Sequence, residues 1–141
     1  TGGMLSRLAR GSVALLGDSA GQTKPTTGGG LVYLSIAARK LAAAIRAGDL
    51  ALYERAVAAE LGVEMRAQLL VRRVLNSIGD RELNALIERL KREGAEEVIS
   101  REGSMDRQAV IAAKTAALTA IRSPSLAFKL LSKLVSSLLE A

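Results

Sequence analysis

The sequence contains no cysteine, no histidine and no tryptophan. Without cysteine there are no disulfides, no thiolate metal sites and no cysteine nucleophile, and the redox state of the compartment leaves no mark on the chain. Without histidine the commonest general base and the commonest metal ligand are both missing. Any chemistry therefore falls to carboxylates, lysines, backbone groups or a bound cofactor, and no metal site is expected. Aromatic residues are nearly as scarce, with Tyr33, Tyr53 and Phe128 making up the whole set. Three rings are too few for the stacking platforms of a nucleic-acid binder, so the net charge of +6 is not read as a sign of a nucleic-acid partner. No uninterrupted apolar run approaches the roughly 20 residues of a membrane span, and no signal peptide opens the chain. The expectation is a cytoplasmic protein that touches, at most, a membrane surface.

What is present is small, aliphatic and helix-forming. The 141 residues are 49% hydrophobic, enough for a buried core in one globular unit or for a greasy cavity. The charge is unevenly spread. Residues 1–47 carry six Lys/Arg against one Asp, residues 48–105 nine against eleven Asp/Glu, and residues 106–141 five against two. Val13 to Leu16 reads as a short buried strand that breaks at Gly17. "LVYLSIAARKLAAAIRAG" then reads as a helix from Leu31, largely buried and stopped by Gly48. Asp49 is placed to cap a second helix, reaching about Ile78, whose apolar stripe is Leu50, Tyr53, Val57, Leu61, Met65 and Leu69.

A shorter amphipathic helix follows in "GDRELNALIERLKREG", with Leu83, Leu86, Ile87 and Leu90 facing one way and Gly94 ending it. After a connector, "AEEVISREGSMD", Asp106 is a cap for a helix from Arg107 to about Ile121. Ser123-Pro124 opens the last helix, with Ala127, Leu130, Leu131, Leu134, Val135 and Leu138 on one stripe and Lys129 and Lys133 beside it. The fold class is mainly α, about five helices following one short N-terminal strand.

One stretch departs from this helical grammar: "GDSAGQTKPTTGGG", Gly17 to Gly30. Gly17-Asp18-Ser19-Ala20-Gly21 fits the G-x-S-x-G nucleophile turn of a serine hydrolase, but no histidine exists to take the serine's proton. A phosphate-cradling Walker loop fails on spacing, because Lys24 is followed by proline and preceded by threonine. The third reading is strand, acidic turn, glycine loop and helix start, with Thr26 or Thr27 as the helix cap. A carboxylate just past a strand end accepts from sugar hydroxyls, and the glycines let backbone N–H groups approach an anion or a flat ring. The plain alternative is that Gly28, Gly29 and Gly30 form a flexible link.

These residues closely resemble the second flavin-binding motif of the geranylgeranyl reductase family, FAD enzymes built on the para-hydroxybenzoate hydroxylase-like fold. The likeness covers nearly every position from Gly17 to Leu31, including the Lys-Pro-Thr-Thr run. "TGG" at residues 1–3 resembles the family's residues upstream of the strand, and "LALYERAVAAELG" its following helix; beyond about residue 80 only a helical pattern is shared. The resemblance implies that Asp18 accepts hydrogen bonds from the ribityl chain of FAD. It implies that the backbone of Gly29, Gly30 and Leu31 faces the flavin ring or its phosphates, that Gly28 serves the turn, and that Lys24 and Pro25 sit by the ring edge. For Lys24 a solvated loop lysine is the alternative. No residue is assigned a catalytic role.

Two departures shape the expectation. The chain has no G-x-G-x-x-G loop for the FAD pyrophosphate, and the family's aromatic substrate motif is missing. By resemblance, then, the chain is a C-terminal part of such an enzyme, cut by design, by proteolysis or by a split gene, with Met4 as a candidate start. Residues 1–48 would supply the last strand, glycine loop and buried helix of an FAD-binding domain, and residues 49–141 a helical C-terminal domain. The implied activity is hydride transfer from reduced FAD to the double bonds of geranylgeranyl chains on archaeal-type ether lipids or a related isoprenoid. The implied partners are the lipid substrate and the missing N-terminal FAD-binding region, and the isolated piece is expected to be inactive and to bind no FAD tightly. An unpaired strand over residues 13–16 would favour self-association. A reading from another class is a small helical interaction or membrane-surface-binding module without catalysis. Arg72 and Arg73, or Lys129 and Lys133, are candidates to hold a lipid phosphate, with solvated helix faces as the alternative.

Overall fold

The computed structural model describes residues 3–92, 94, 97, 100, 101, 103, 108–122 and 124–139, and of residues 118, 126 and 137–139 the backbone alone. The chain is mainly helical and divides into two compact units, Thr1–Leu69 and Leu70–Ala141, the division falling within a helix.

In the first unit, β1 (Ala9–Arg10) and β2 (Val13–Ala14) form a two-residue antiparallel ladder with Ala9 opposite Ala14 and Arg10 opposite Val13. The strand expected over residues 13–16 is therefore shorter, and it is not alone. Gly11-Ser12 closes it onto β1 as a two-residue turn, the glycine-first dipeptide typical of tight hairpins. The Leu15 N–H extends the pairing to the Leu8 carbonyl at 2.8 Å. A 3-10 turn, Gly17–Ala20, leads into the glycine loop and then into α1 (Leu31–Ala47) and α2 (Ala51–Asn76).

The α1–α2 corner follows local rules. Gly48 adopts the left-handed conformation and returns its N–H to the end of α1, and the Asp49 carboxylate accepts the Ala51 N–H at 2.8 Å. The expected stripe of α2 is buried at Tyr53, Val57, Leu61 and Met65, where it meets Leu8, Ala20, Tyr33, Ala37 and Ala44. Burial of α1 is much less than its composition suggests. Only Tyr33, Ala37 and Ala44 are buried, and Leu31, Val32 and Ile45 stand exposed. An alanine-rich helix reads as apolar on most faces, but α2 and the loop cover just one of them.

The second unit contains α3 (Asp80–Arg92), α4 (Gln108–Arg122) and α5 (Pro124–Leu139), with α4 packed on α5. Proline occupies the first position of α5, where its missing N–H costs nothing. Ile87 on α3, and Leu131 and Val135 on α5, members of the apolar stripes expected on these helices, are exposed. Glu97, Ser100 and Arg101, within the expected connector, are helical, and Arg101 pairs with Glu97 at 2.9 Å. The expected caps Asp106 and Ser123, the start of the helix at Arg107, residues 1 and 2 of "TGG" and the side chain of Leu138 lie outside the described residues.

Two carboxylates tie these elements together and carry a pH dependence. Glu54 on α2 accepts the N–H groups of Leu8 at 2.6 Å and Ala9 at 2.8 Å, anchoring the hairpin. Those bonds to Ala9 and Leu8 hold its carboxyl below the usual range. Glu82 on α3 sits between Lys129 at 2.7 Å and Lys133 at 2.9 Å, which bring its pKa down from 4.5 to about 2. Lowered folded-state values mean that both contributions are complete when the carboxylates are ionised in the unfolded chain as well, and are lost as protonation sets in. Denaturant midpoints should be level from about pH 8 to 5 and then fall. For Glu82 the loss runs from pH 4.5 to about 2. Glu54→Gln and Glu82→Gln should each flatten that acid limb; an unchanged limb in both would contradict these pairings.

Candidate functional site

The glycine loop is a hydrogen-bonded structure, not a flexible link. The Lys24 N–H donates to the Gly29 carbonyl at 3.0 Å and the Gly28 N–H to the Lys24 carbonyl at 2.9 Å. Gly28 sits at φ +72°, the conformation this turn demands, and no atom lies near enough to object to a side chain there. At the other end of the motif the 3-10 turn closes through Gly21 N–H to the Asp18 carbonyl and Gln22 N–H to the Gly17 carbonyl, each at 3.0 Å. The Ser19 hydroxyl donates to the Leu16 carbonyl at 2.9 Å, a local bond that gives no sign of an activated nucleophile.

This path brings the two ends of the motif together. The Asp18 carboxylate accepts from the Thr23 hydroxyl at 2.7 Å and lies 3.5 Å from where a Cβ on Gly30 would stand. Gly30 is the N-cap of α1, and no side chain caps it. Thr26 and Thr27 were expected to cap this helix and do not. Thr26 donates to the Gln68 side-chain oxygen at 3.1 Å, and the Thr27 hydroxyl oxygen faces the Gly29 N–H at 3.4 Å. The result is an exposed carboxylate beside a helix start with its positive dipole end free of a side-chain acceptor. Such a pair takes hydroxyl donors at the carboxylate and oxygen or nitrogen acceptors at the N–H groups.

Of the expected site residues, Asp18 and Gly30 meet directly. Gly29 is adjacent, its carbonyl turned back to Lys24, and Leu31 opens the helix with its side chain 84% exposed. Lys24 is not a solvated loop lysine. It is 6% exposed, with its ammonium 5.4 Å from the centre of the Tyr33 ring, a cation–π distance. Pro25 beside it is buried.

Sequence reasoning missed the residues that hold the loop in place. The Tyr53 hydroxyl donates to the Leu15 carbonyl at 2.9 Å and accepts from the Gln22 amide at 2.8 Å, while Gln22 in turn accepts the Gly17 N–H at 2.8 Å. Burial pushes the Tyr53 phenol up, only partly offset by the bond from Gln22. Further along α2, the Gln68 amide donates to the Tyr33 hydroxyl at 2.8 Å and to Glu64 at 2.9 Å, and its oxygen receives Thr26. Gln22 and Gln68 are both essentially inaccessible to solvent. The available signal was chemical: a lone glutamine, Gln68, inside the apolar face of α2.

Against known proteins the chain is similar to two digeranylgeranylglycerophospholipid reductases and one uncharacterized protein. Over 62% of its length it is 36% identical to digeranylgeranylglycerophospholipid reductase 1 of Methanothermobacter thermautotrophicus, covering 24% of that protein. Over 63% it is 33% identical to digeranylgeranylglycerophospholipid reductase 2 of the same organism, covering 26%. An uncharacterized protein of Methanocaldococcus jannaschii is 31% identical over 79% of the chain, which covers 30% of it. The chain thus spans 24–30% of the length of these curated relatives. No family model matches it, and no solved structure matches it significantly. Among the described residues no helix is long and apolar enough to cross a membrane, and no cluster of acidic side chains is arranged to hold a metal ion.

Proposed function

We propose that this chain supplies the ribityl- and ring-facing half of the flavin site in an FAD-dependent reductase that saturates geranylgeranyl double bonds on isoprenoid ether lipids. The observation that carries the reading is the meeting of Asp18 with the uncapped start of α1 at Gly30. The residues fit the group. An exposed carboxylate accepts from ribityl hydroxyls, Gly30 leaves space for a flat ring at the helix start, and the N–H groups of the first turn favour oxygen acceptors. The reductases named above, similar over this part of the chain, support the same reading.

FAD, when bound in its reduced form, would supply the hydride for the carbon–carbon double bond and return to its oxidised form, with a proton completing the saturation. The chain's own residues place it: Asp18 fixes the ribityl chain, and the backbone of Gly29, Gly30 and Leu31 faces the ring or the phosphates. Lys24, held rigidly against Tyr33, gives the loop a fixed positive charge by the ring edge. Residues 1–48 belong in this view to the flavin-binding domain and residues 49–141 to a helical C-terminal domain, and the pyrophosphate half of the site comes from a preceding nucleotide-binding region. The exposed apolar surface at Val13, Leu31 and Ile45 is where that region would pack, and where copies of the isolated chain would associate.

The test uses a protein that joins this chain to such a region and measures bound flavin after purification. Asp18→Ala should lower FAD affinity about tenfold or more, the loss of a charge-assisted acceptor. The 141-residue chain alone should not retain FAD. Unchanged flavin content in Asp18→Ala would remove Asp18 from the site.

A further inference from the structure

The second unit contains a cleft that the flavin reading does not use, about 550 Å³ in volume, between α3 and α5. Arg81, Arg89 and Arg92 line it from α3 and Lys129 and Lys133 from α5. Their spacing along each helix puts them on one face. Among the described residues Glu82 is the one carboxylate in the lining, bonded to both lysines, while Asp80 and Glu88 of the same helix do not line the cleft. Among the described lining residues, cations thus outnumber carboxylates. Lys133 also donates to the Ser77 carbonyl at 3.0 Å, so its ammonium is fixed in position. Arg81 and Arg92 have no carboxylate partner among the described residues.

We propose that this cleft binds a phosphate-bearing ligand. An excess of positive charge at close range matches an anion of more than one charge, and the planar guanidinium forks of arginine match the oxygens of phosphate in pairs. Ile78, Leu86 and Leu130 also line the cleft, apolar side chains that accept a hydrocarbon portion next to the phosphate. On the neighbouring face of α5, Phe128 and Leu131 are 74% and 57% exposed. A helix with cations on one face and exposed apolar side chains on the next is built to lie at a lipid interface. The phosphate is therefore either the headgroup of a lipid or a free phosphoanion. The argument does not depend on the flavin site, which lies in the other unit.

The 141-residue protein is titrated with inorganic phosphate, followed by amide NMR shifts, and separately sedimented with phosphatidylcholine vesicles with or without phosphatidic acid. Saturable phosphate binding is expected with shifts confined to α3 and α5, or retention on vesicles that requires phosphatidic acid. Arg81→Gln with Arg92→Gln should weaken either about tenfold. Arg39→Gln with Arg46→Gln removes the same charge from α1 and should change either by less than about twofold. Glu82→Gln, which frees both lysines, should tighten binding about threefold or more. Retention by vesicles with weak free-phosphate binding assigns the headgroup, and phosphate binding without retention assigns the free anion. Binding of neither probe, or equal weakening by the two arginine pairs, overturns the site. Weaker binding in Glu82→Gln with intact circular dichroism overturns it as well.

Discussion

Gly21→Ala should unfold the first unit at denaturant concentrations where the wild-type chain is fully native, a loss of about 3 kcal/mol or more. Two effects add. Gly21 sits at φ +67°, where a side chain is strained, and a Cβ there would fall inside the van der Waals envelope of the Gly3 carbonyl oxygen. That oxygen belongs to backbone and cannot swing aside as a side-chain tip does. Nearby, the Leu5 N–H bonds the Ala20 carbonyl at 3.1 Å, so moving residues 3–5 away also breaks the pairing that ties the N-terminal segment to the 3-10 turn. Gly28→Ala is the internal control. Its φ of +72° carries the same strain, but nothing lies within contact distance, so it should cost only about 1–2 kcal/mol. Equal losses in the two variants would mean that the close approach at Gly3 is not made.

Tyr53→Phe should be the most damaging loss of a single oxygen atom in the chain, about 2 kcal/mol with the apolar packing kept. The Tyr53 ring is fully buried, and its hydroxyl is the joint between three elements. It takes the Gln22 amide from the glycine loop and gives its proton to the Leu15 carbonyl at the end of the hairpin. Phenylalanine leaves a buried amide donor and a part-buried carbonyl without their bonds. The penalty is that of desolvated polar groups, and it exceeds the ordinary net value of a hydrogen bond. Gln22→Leu also takes the acceptor from the Gly17 N–H, so it costs stability by itself, but together with Tyr53→Phe the loss should be smaller than the sum of the two single losses, because the amide donor that Tyr53→Phe orphans is then gone. The check is a double-mutant cycle by urea denaturation, and strict additivity would contradict the Gln22–Tyr53 bond.

These two positions show what a reader of the sequence was able to see. The acidic turn, the glycine loop and the helix start were legible from residue type and spacing, since each is a local choice. The Gly48 stop, the Asp49 cap and the stripe of α2 were legible for the same reason. What escaped was every feature that depends on where the chain goes next. Gln22 and Gln68 look like ordinary polar residues until α2 is laid along the loop. Thr26 looks like a helix cap until Gln68 claims its hydroxyl. Lys24 looks solvated until Tyr33 is placed beside it. The exposed faces of α1 and α5 are the same kind of miss, because apolar composition reports what a helix can bury and not what stands opposite to cover it.

The claim at the centre of this account is that the space beside Asp18 at the start of α1 is occupied by flavin, and Gly30→Ala tests it most directly. Gly30 has a negative φ of −122°, and a methyl there would make an ordinary contact, 3.5 Å from the Asp18 carboxylate. The substitution should therefore leave the denaturation midpoint of the chain within about 0.5 kcal/mol of wild type. In the protein carrying its nucleotide-binding region, the same methyl should lower FAD affinity about tenfold or more, since it fills space the ring needs. Normal stability with diminished flavin content is the expected result. Normal stability with full flavin content would contradict the account.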